Sequence, residues 1–226
     1  MRALALAAIC LALCGAPASS QTPPTPSELS AYTGLHAAAA RGSAEEVKKL
    51  ATAGGLDTRD RNGRTPLHVA TFQKRPEIVK VLIAAGANHA LLDNQRYDAV
   101  TIAAVADDEP TLKALLASGA SAKLTTSIYD GTALIAAAHL GHDGVVRDLI
   151  RAGAPLDHVN NLGWTALIEA VILGDGGKRH VATVRALVDA GARRDIGDRQ
   201  GVTPLQHAQS RGYKEMVAIL SERAAK

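Results

Sequence analysis

One four-residue pattern returns six times along this chain at almost constant spacing, and that beat limits what the chain can become. Thr65-Pro66-Leu67-His68 recurs as Thr203-Pro204-Leu205-Gln206. Looser copies stand at Thr33-Gly34-Leu35-His36, Asp98-Ala99-Val100-Thr101, Thr132-Ala133-Leu134-Ile135 and Thr165-Ala166-Leu167-Ile168. Their first residues are separated by steps of 32, 33, 34, 33 and 38. A second motif keeps the same phase: Leu82-Ile83-Ala84-Ala85-Gly86-Ala87, then the copies ending in Gly119-Ala120, Gly153-Ala154 and Gly191-Ala192. A period of this length predicts one supersecondary unit per repeat. Each unit is too thin to bury both of its faces, so it is stable only against its neighbours.

Each motif position has a physical reason. Thr65 is a helix N-cap, its hydroxyl able to accept an otherwise unpaired backbone N–H. Pro66 fits the first helical turn, where its missing donor costs nothing. Leu67 and Ala70 then fall on one face at helical spacing. The glycine of the second motif closes a second helix in the left-handed conformation. Gly63, Gly163 and Gly201 fit a tight finger before the next repeat. Aromatic residues make up only 3% of the chain. Alanine runs such as residues 37–40 and 136–138 instead let neighbouring helices approach closely.

With both motifs in phase over six copies, the chain resembles the ankyrin-repeat family from about Ser30 to its end. The resemblance implies an all-α solenoid of stacked helix pairs with β-hairpin fingers. Six repeats are expected, at about 31–62, 63–95, 96–129, 130–162, 163–200 and 201–226. The last helix, near residues 213–222, is polar enough for a solvated cap. The first repeat is weak, with Ala31 and Gly34 in place of the finger glycine and the proline, and a frayed end is expected there.

Three departures from the pattern stand out. In the third repeat Arg96 replaces the finger glycine, and Asp98 replaces the capping threonine. Residues 107–110 replace the usual Gly-His turn with Asp-Asp-Glu-Pro, which suits a helix N-terminus or a contact to a metal or basic partner. The fourth finger, residues 124–131, is longer and irregular. The fifth repeat carries an insertion at residues 175–179. Its Gly-Asp-Gly-Gly-Lys run lacks the preceding strand and the Gly-Lys-Ser/Thr ending of a phosphate loop. Residues 159–177 are similar to repeats of exported bacterial ankyrin proteins.

The N-terminus carries a targeting pattern: Arg2, an apolar run over residues 3–13, and small residues at Ala16-Pro17-Ala18. A Sec signal peptide over 1–18 with cleavage near Ala18 is expected, giving a periplasmic or secreted protein. Lipid attachment at Cys14 and an uncleaved anchor are the alternatives. After cleavage no membrane span is expected, and Cys10 and Cys14, the two cysteines of the chain, would be gone. Cysteine nucleophile, zinc and redox chemistry would go with them. Residues 19–30, with Pro23, Pro24 and Pro26, suggest an extended, disordered leader.

Nothing in the sequence assembles a reaction centre. The eight histidines mostly take repeat positions. His36 and His68 hold the motif's own place, where the family's ring braces a finger; His142 and His180 hold the inter-helix turn; His207 follows the last motif. His89, His139 and His158 fall outside those roles. No zinc-protease, nucleophile-elbow or dinucleotide motif occurs. No catalytic residue, metal or cofactor is expected. The formal net charge of +3 is spread without a basic block, so a specific nucleic-acid partner is not expected.

Ankyrin proteins bind through their fingertips and the exposed ends of the first helices. The resemblance assigns that face to Tyr32, Arg64, Phe72, Gln73, Tyr97, Tyr129, His139, Trp164, Ile172, Leu173 and Arg211. All the aromatic residues except Tyr213 map there, as a recognition surface requires. The expected function is therefore a non-catalytic, monomeric protein-binding scaffold. A secreted effector or toxin-neutralising protein, and a binder of polyanions or ligands through Arg64, Arg96 and Arg211, are the competing readings.

Overall fold

A computed structural model describes residues 21–222. The expected signal peptide, its cleavage point near Ala18, and Cys10 and Cys14 lie outside the described residues. Six helix pairs follow one another: Gly34–Arg41 with Ala44–Ala51, Pro66–Phe72 with Pro76–Ala84, Ala99–Val105 with Glu109–Ala117, Ala133–His139 with Asp143–Arg151, Ala166–Ile172 with Lys178–Asp189, and Pro204–Arg211 with Lys214–Ser221. Within each pair the two helices pack together. First helices stack on first helices and second on second from one end of the array to the other.

The motif leucines explain the stack. Leu35, Leu67, Leu134 and Leu167, with Val100 in the third repeat, are buried in the layer of first helices. Leu82, Leu115, Leu149 and Leu187 are fully buried in the layer of second helices. Burying each such side chain stabilises the fold by about 1.5–3 kcal/mol. Fully buried alanines, among them Ala38, Ala39, Ala70, Ala103, Ala137, Ala138 and Ala170, lie between them. The caps follow the sequence: Thr65, Asp98, Thr132, Thr165 and Thr203 each accept the N–H three residues on. Thr33 makes no such bond, and Gly34 beside it has a φ of 55°.

The fingers are tighter than hairpins of paired strands. Among the described residues the one β-bridge joins Thr126 to Gly131. Elsewhere a side chain shapes the turn. Asp60 Oδ1 accepts from the N–H groups of Asn62 and Arg64, each at 2.8 Å. Asp93, Asn160 and Asp198 repeat the arrangement two and four residues on. The sequence carried this signal as an Asp or Asn three residues before each finger glycine or its substitute. Arg96, in a glycine's place, holds a φ of 63°.

The N-terminal leader departs from expectation. Residues Pro26–Ala31 form a short helix instead of a disordered run. Thr25 accepts from the Glu28 N–H, and Glu28 returns a carboxylate to the Thr25 N–H at 2.8 Å. This is a capping box, with Pro26 at the first helical position where proline is favoured. The prolines signalled an extended chain, but the Thr25-x-x-Glu28 spacing outweighs them. The first repeat thus has a helical cap. At the fifth repeat the insertion is packed too: Tyr213 donates its hydroxyl to the Gly174 carbonyl at 2.9 Å. A Cβ on Gly176 would lie 2.6 Å from the Tyr213 ring.

Candidate protein-binding face

The fingers form a hydrogen-bonded row. Asn94 donates its backbone N–H to the Asn62 carbonyl and its side-chain amide to the Arg61 carbonyl, both at 3.0 Å. Ser127 N–H reaches the Arg96 carbonyl at 2.7 Å. Asn161 donates to the Tyr129 and Ile128 carbonyls at 2.9 and 3.0 Å, and Arg199 donates to the Asn161 carbonyl. Neighbouring tips are therefore fixed against one another, which pre-organises whatever they present.

Histidines brace the row from behind. His36 Nε2 donates to the Arg64 carbonyl at 2.9 Å. His68 Nε2 donates to the Leu91 and Tyr97 carbonyls at 3.0 and 3.2 Å, while its Nδ1 accepts from the Thr65 N–H at 3.0 Å. That bonding fixes the neutral Nε2–H tautomer. Burial lowers the His68 pKa to about 4. His158 donates to the Asp130 carbonyl of the fourth finger, whereas His142 and His180 act away from the fingers, on the Ala104 and His139 carbonyls at the ends of first helices. His139 Nδ1 lies 3.3 Å from the buried Glu169 carboxylate, which also accepts from Asn160. Among the described residues no group of three or more His, Cys, Asp or Glu could hold a metal ion.

The face assigned from sequence divides in two. At the finger of residues 60–64, Arg64 is not presented to a partner: its side chain is 1% exposed. It pairs with Asp60 at 2.7 Å and with Glu28 at 3.0 Å. Tyr32 donates its hydroxyl to Asp60 at 2.7 Å, and burial followed by this bond raises its pKa. Tyr97 at the next finger is buried as well. Arg64 and Tyr97 are thus covered in this structure, Arg64 because Glu28 and Asp60 take up its guanidinium, and Tyr32 is tied to Asp60 by its hydroxyl. Asp60 holds the periodic Asp/Asn place of the fingers and Glu28 stands one repeat before it, but that register alone does not mark them as the ion partners of Arg64.

Toward the C-terminal half the face is open. Tyr129, His139, Trp164, Ile172 and Leu173 are half-buried, as are Phe72 and Gln73, and Arg211 is exposed 6.0 Å from the Tyr213 ring. Beside Tyr129 and Trp164 stand three apolar side chains absent from the expected set: Ile128, 53% exposed, Val159, 46%, and Leu162, 36%. The Asn161 bonds set the tips bearing Ile128 and Leu162 side by side. The available signal was an isoleucine and a leucine inside turn sequences that otherwise favour polar residues.

Comparison with known proteins agrees with this architecture. The family model described as ankyrin repeats, three copies, matches residues 3–93 and 100–193. The chain is 32% identical over 185 residues to the putative ankyrin repeat protein YahD of Escherichia coli, covering 81% of this chain and 92% of that protein. It is 33% identical over 147 residues to neurogenic locus notch homolog protein 1 of Mus musculus, but spans 6% of that protein. A solved ankyrin repeat domain from Acinetobacter baumannii superposes with a TM-score of 0.77 at 42% identity, over 82% of this chain and 95% of that one. The ankyrin repeat domain of Bcl-3 superposes with a TM-score of 0.77 at 30% identity, over 87% and 88%.

Proposed function

Since the chain belongs to the ankyrin-repeat family, whose repeats serve as protein-interaction scaffolds, we propose that it is a non-catalytic scaffold of the cell envelope that holds a protein partner on its fourth and fifth fingers. The supporting observation is the exposure of Ile128, Val159 and Leu162 on the two adjacent fingers that carry Tyr129 and Trp164. Apolar side chains at rigid, laterally bonded tips are costly to leave in water and lose little entropy when covered. Half-buried aromatic rings beside them supply the large contact areas typical of binding hot spots. His139, Ile172 and Leu173 continue the surface along the first helices, and Phe72, Gln73 and Arg211 mark its outer limits.

The envelope location rests on the targeting pattern at residues 1–18. Fractionation tests it: the chain should appear in the periplasmic or culture fraction, shortened by about the length of that segment. Retention in the cytoplasm at full length removes that part of the reading. The binding role is tested by cross-linked capture from envelope extract, compared between wild type and Trp164→Ala. A partner that dissociates from Trp164→Ala, and whose capture survives high salt, supports the apolar face. Salt-sensitive capture indifferent to Trp164 favours the polyanion or ligand reading instead.

A further inference from the structure

Five residues upstream of the capping helix do something the fold does not require. Residues 21–25 do not fold away from the array. They run along the finger row, from the capping helix on the finger of residues 60–64 to the next finger. Arg64 Nη1 donates to the Thr22 carbonyl at 3.2 Å, and Thr22 N–H donates to Gln95 Oε1 at 2.9 Å. One backbone unit therefore bridges two neighbouring fingers. Gln21 and Pro24 are buried along the way, and Thr25 has extended angles of −68° and 159°.

The contact is peptide recognition in miniature. Finger side chains read main-chain groups of an extended segment, one accepting its N–H and one donating to its carbonyl. Two prolines hold such a segment straight before it binds, which lowers the entropy lost on docking. The attachment is also slight. The Thr22–Gln95 bond is solvent-exposed, and the buried Gln21 amide nitrogen finds no hydrogen-bond partner, which costs free energy.

We infer that residues 21–25 are a self-ligand: an extended, proline-containing strap that fills the track over the second and third fingers, and that an extended proline-containing segment of a partner protein replaces. The inference deepens the proposed function, since it adds a second, self-occupied half to the partner face. Its test needs only the chain and its own peptide, so its failure leaves the reading of the fourth and fifth fingers standing.

The strap is loosened by Thr22→Gly, Pro23→Gly and Pro24→Gly together, which leaves the Thr25–Glu28 capping box intact. A synthetic peptide of residues 20–26 is then titrated into isotope-labelled wild type and variant, with amide shifts read at residues 93–97. In wild type the tethered strap competes at an effective concentration in the millimolar range. The variant should bind the peptide about tenfold more tightly, and adding Gln95→Ala should remove that gain. Equal affinity in the two chains, or none in either, overturns the inference. A second measurement uses the unmodified chain. The Thr22 amide should exchange about tenfold more slowly than a free one yet faster than the hydrogen-bonded Val69 amide of the helix Pro66–Phe72. Exchange at the free rate also overturns it.

Discussion

The Arg64 guanidinium lies 3.0 Å from the Glu28 carboxylate, joining the finger that opens the second repeat to the helix that caps the first. The pair is buried, with side chains 1% and 9% exposed, and Asp60 sits 2.7 Å from the same guanidinium. Removing the arginine leaves Asp60 without its counter-charge and Glu28 with only the exposed Arg61, in a partly dry site. Arg64→Ala should therefore lower stability by about 3 kcal/mol. Urea unfolding followed by circular dichroism measures it. A loss below about 1 kcal/mol would mean that water already reaches the site.

The same junction sets an acid limit. The Thr25 N–H, and then Arg61 and Arg64, hold the Glu28 pKa at about 2, against a partial opposing effect of burial. Its ordinary value is 4.5. Between those values the unfolded chain takes up the proton first, so folding is weakened there. The Glu28 contribution is whole above pH 4.5 and disappears as pH falls toward 2. Glu28→Gln should flatten the stability profile in that window and nowhere above it.

His68 gives a second window. Its folded pKa of about 4 lies below the ordinary 6.5 because burial disfavours the charged ring. The unfolded chain again binds the proton first. Stability supplied by neutral His68 is therefore complete above pH 6.5 and declines as pH falls through 4. The imidazole C–H shift, followed by NMR, should show no titration of His68 between pH 7 and 5. A midpoint near 6.5 would place the ring in water, detached from the Leu91 and Tyr97 carbonyls.

The repeat made the stack legible in the sequence, because capping threonine, motif leucine and closing glycine each act within one unit. Contacts between distant units carried no such signal. Arg64 stood at a position that faces partners in a bare array, and only the chain's own Glu28 shows why it faces inward. The three prolines before the array suggested disorder, since the local rule for proline gives no hint that a finger lies within reach of Thr22. Ile128 and Leu162 differ in kind: their one sequence signal is an apolar residue inside a turn, and only exposure turns that into a surface.

Gly63 tests how far the row depends on close backbone approach. Its φ is 74°, and an added Cβ would lie 2.3 Å from Asn94 Oδ1 and 2.8 Å from the Asn94 backbone nitrogen. The side chain can rotate away, but the backbone cannot without breaking the bond from Asn94 N–H to the Asn62 carbonyl. Gly63→Ala should cost about 2 kcal/mol from strain and overpacking together. Thermal unfolding gives the loss, and amide exchange at Asn94 should rise with it. An unchanged Asn94 amide would show that the fingers are held independently.

Ile128 and Leu162 separate binding from stability most cleanly. At 53% and 36% exposure they contribute little to the core, so Ile128→Ser with Leu162→Ser should shift the unfolding free energy by less than about 0.5 kcal/mol per site. Each leaves the backbone of its tip untouched, and the Asn161 bonds to the Ile128 and Tyr129 carbonyls remain. A protein partner seated on these tips loses its apolar contact without any change in the scaffold. Its affinity should fall about tenfold or more, corresponding to about 1.4 kcal/mol, chiefly through faster dissociation. A polyanion would bind the double variant as well as wild type, with the same salt dependence, because neither substitution changes charge. Surface plasmon resonance at two salt concentrations distinguishes these cases, and retained affinity for a captured protein partner would move its site off the fourth and fifth fingers.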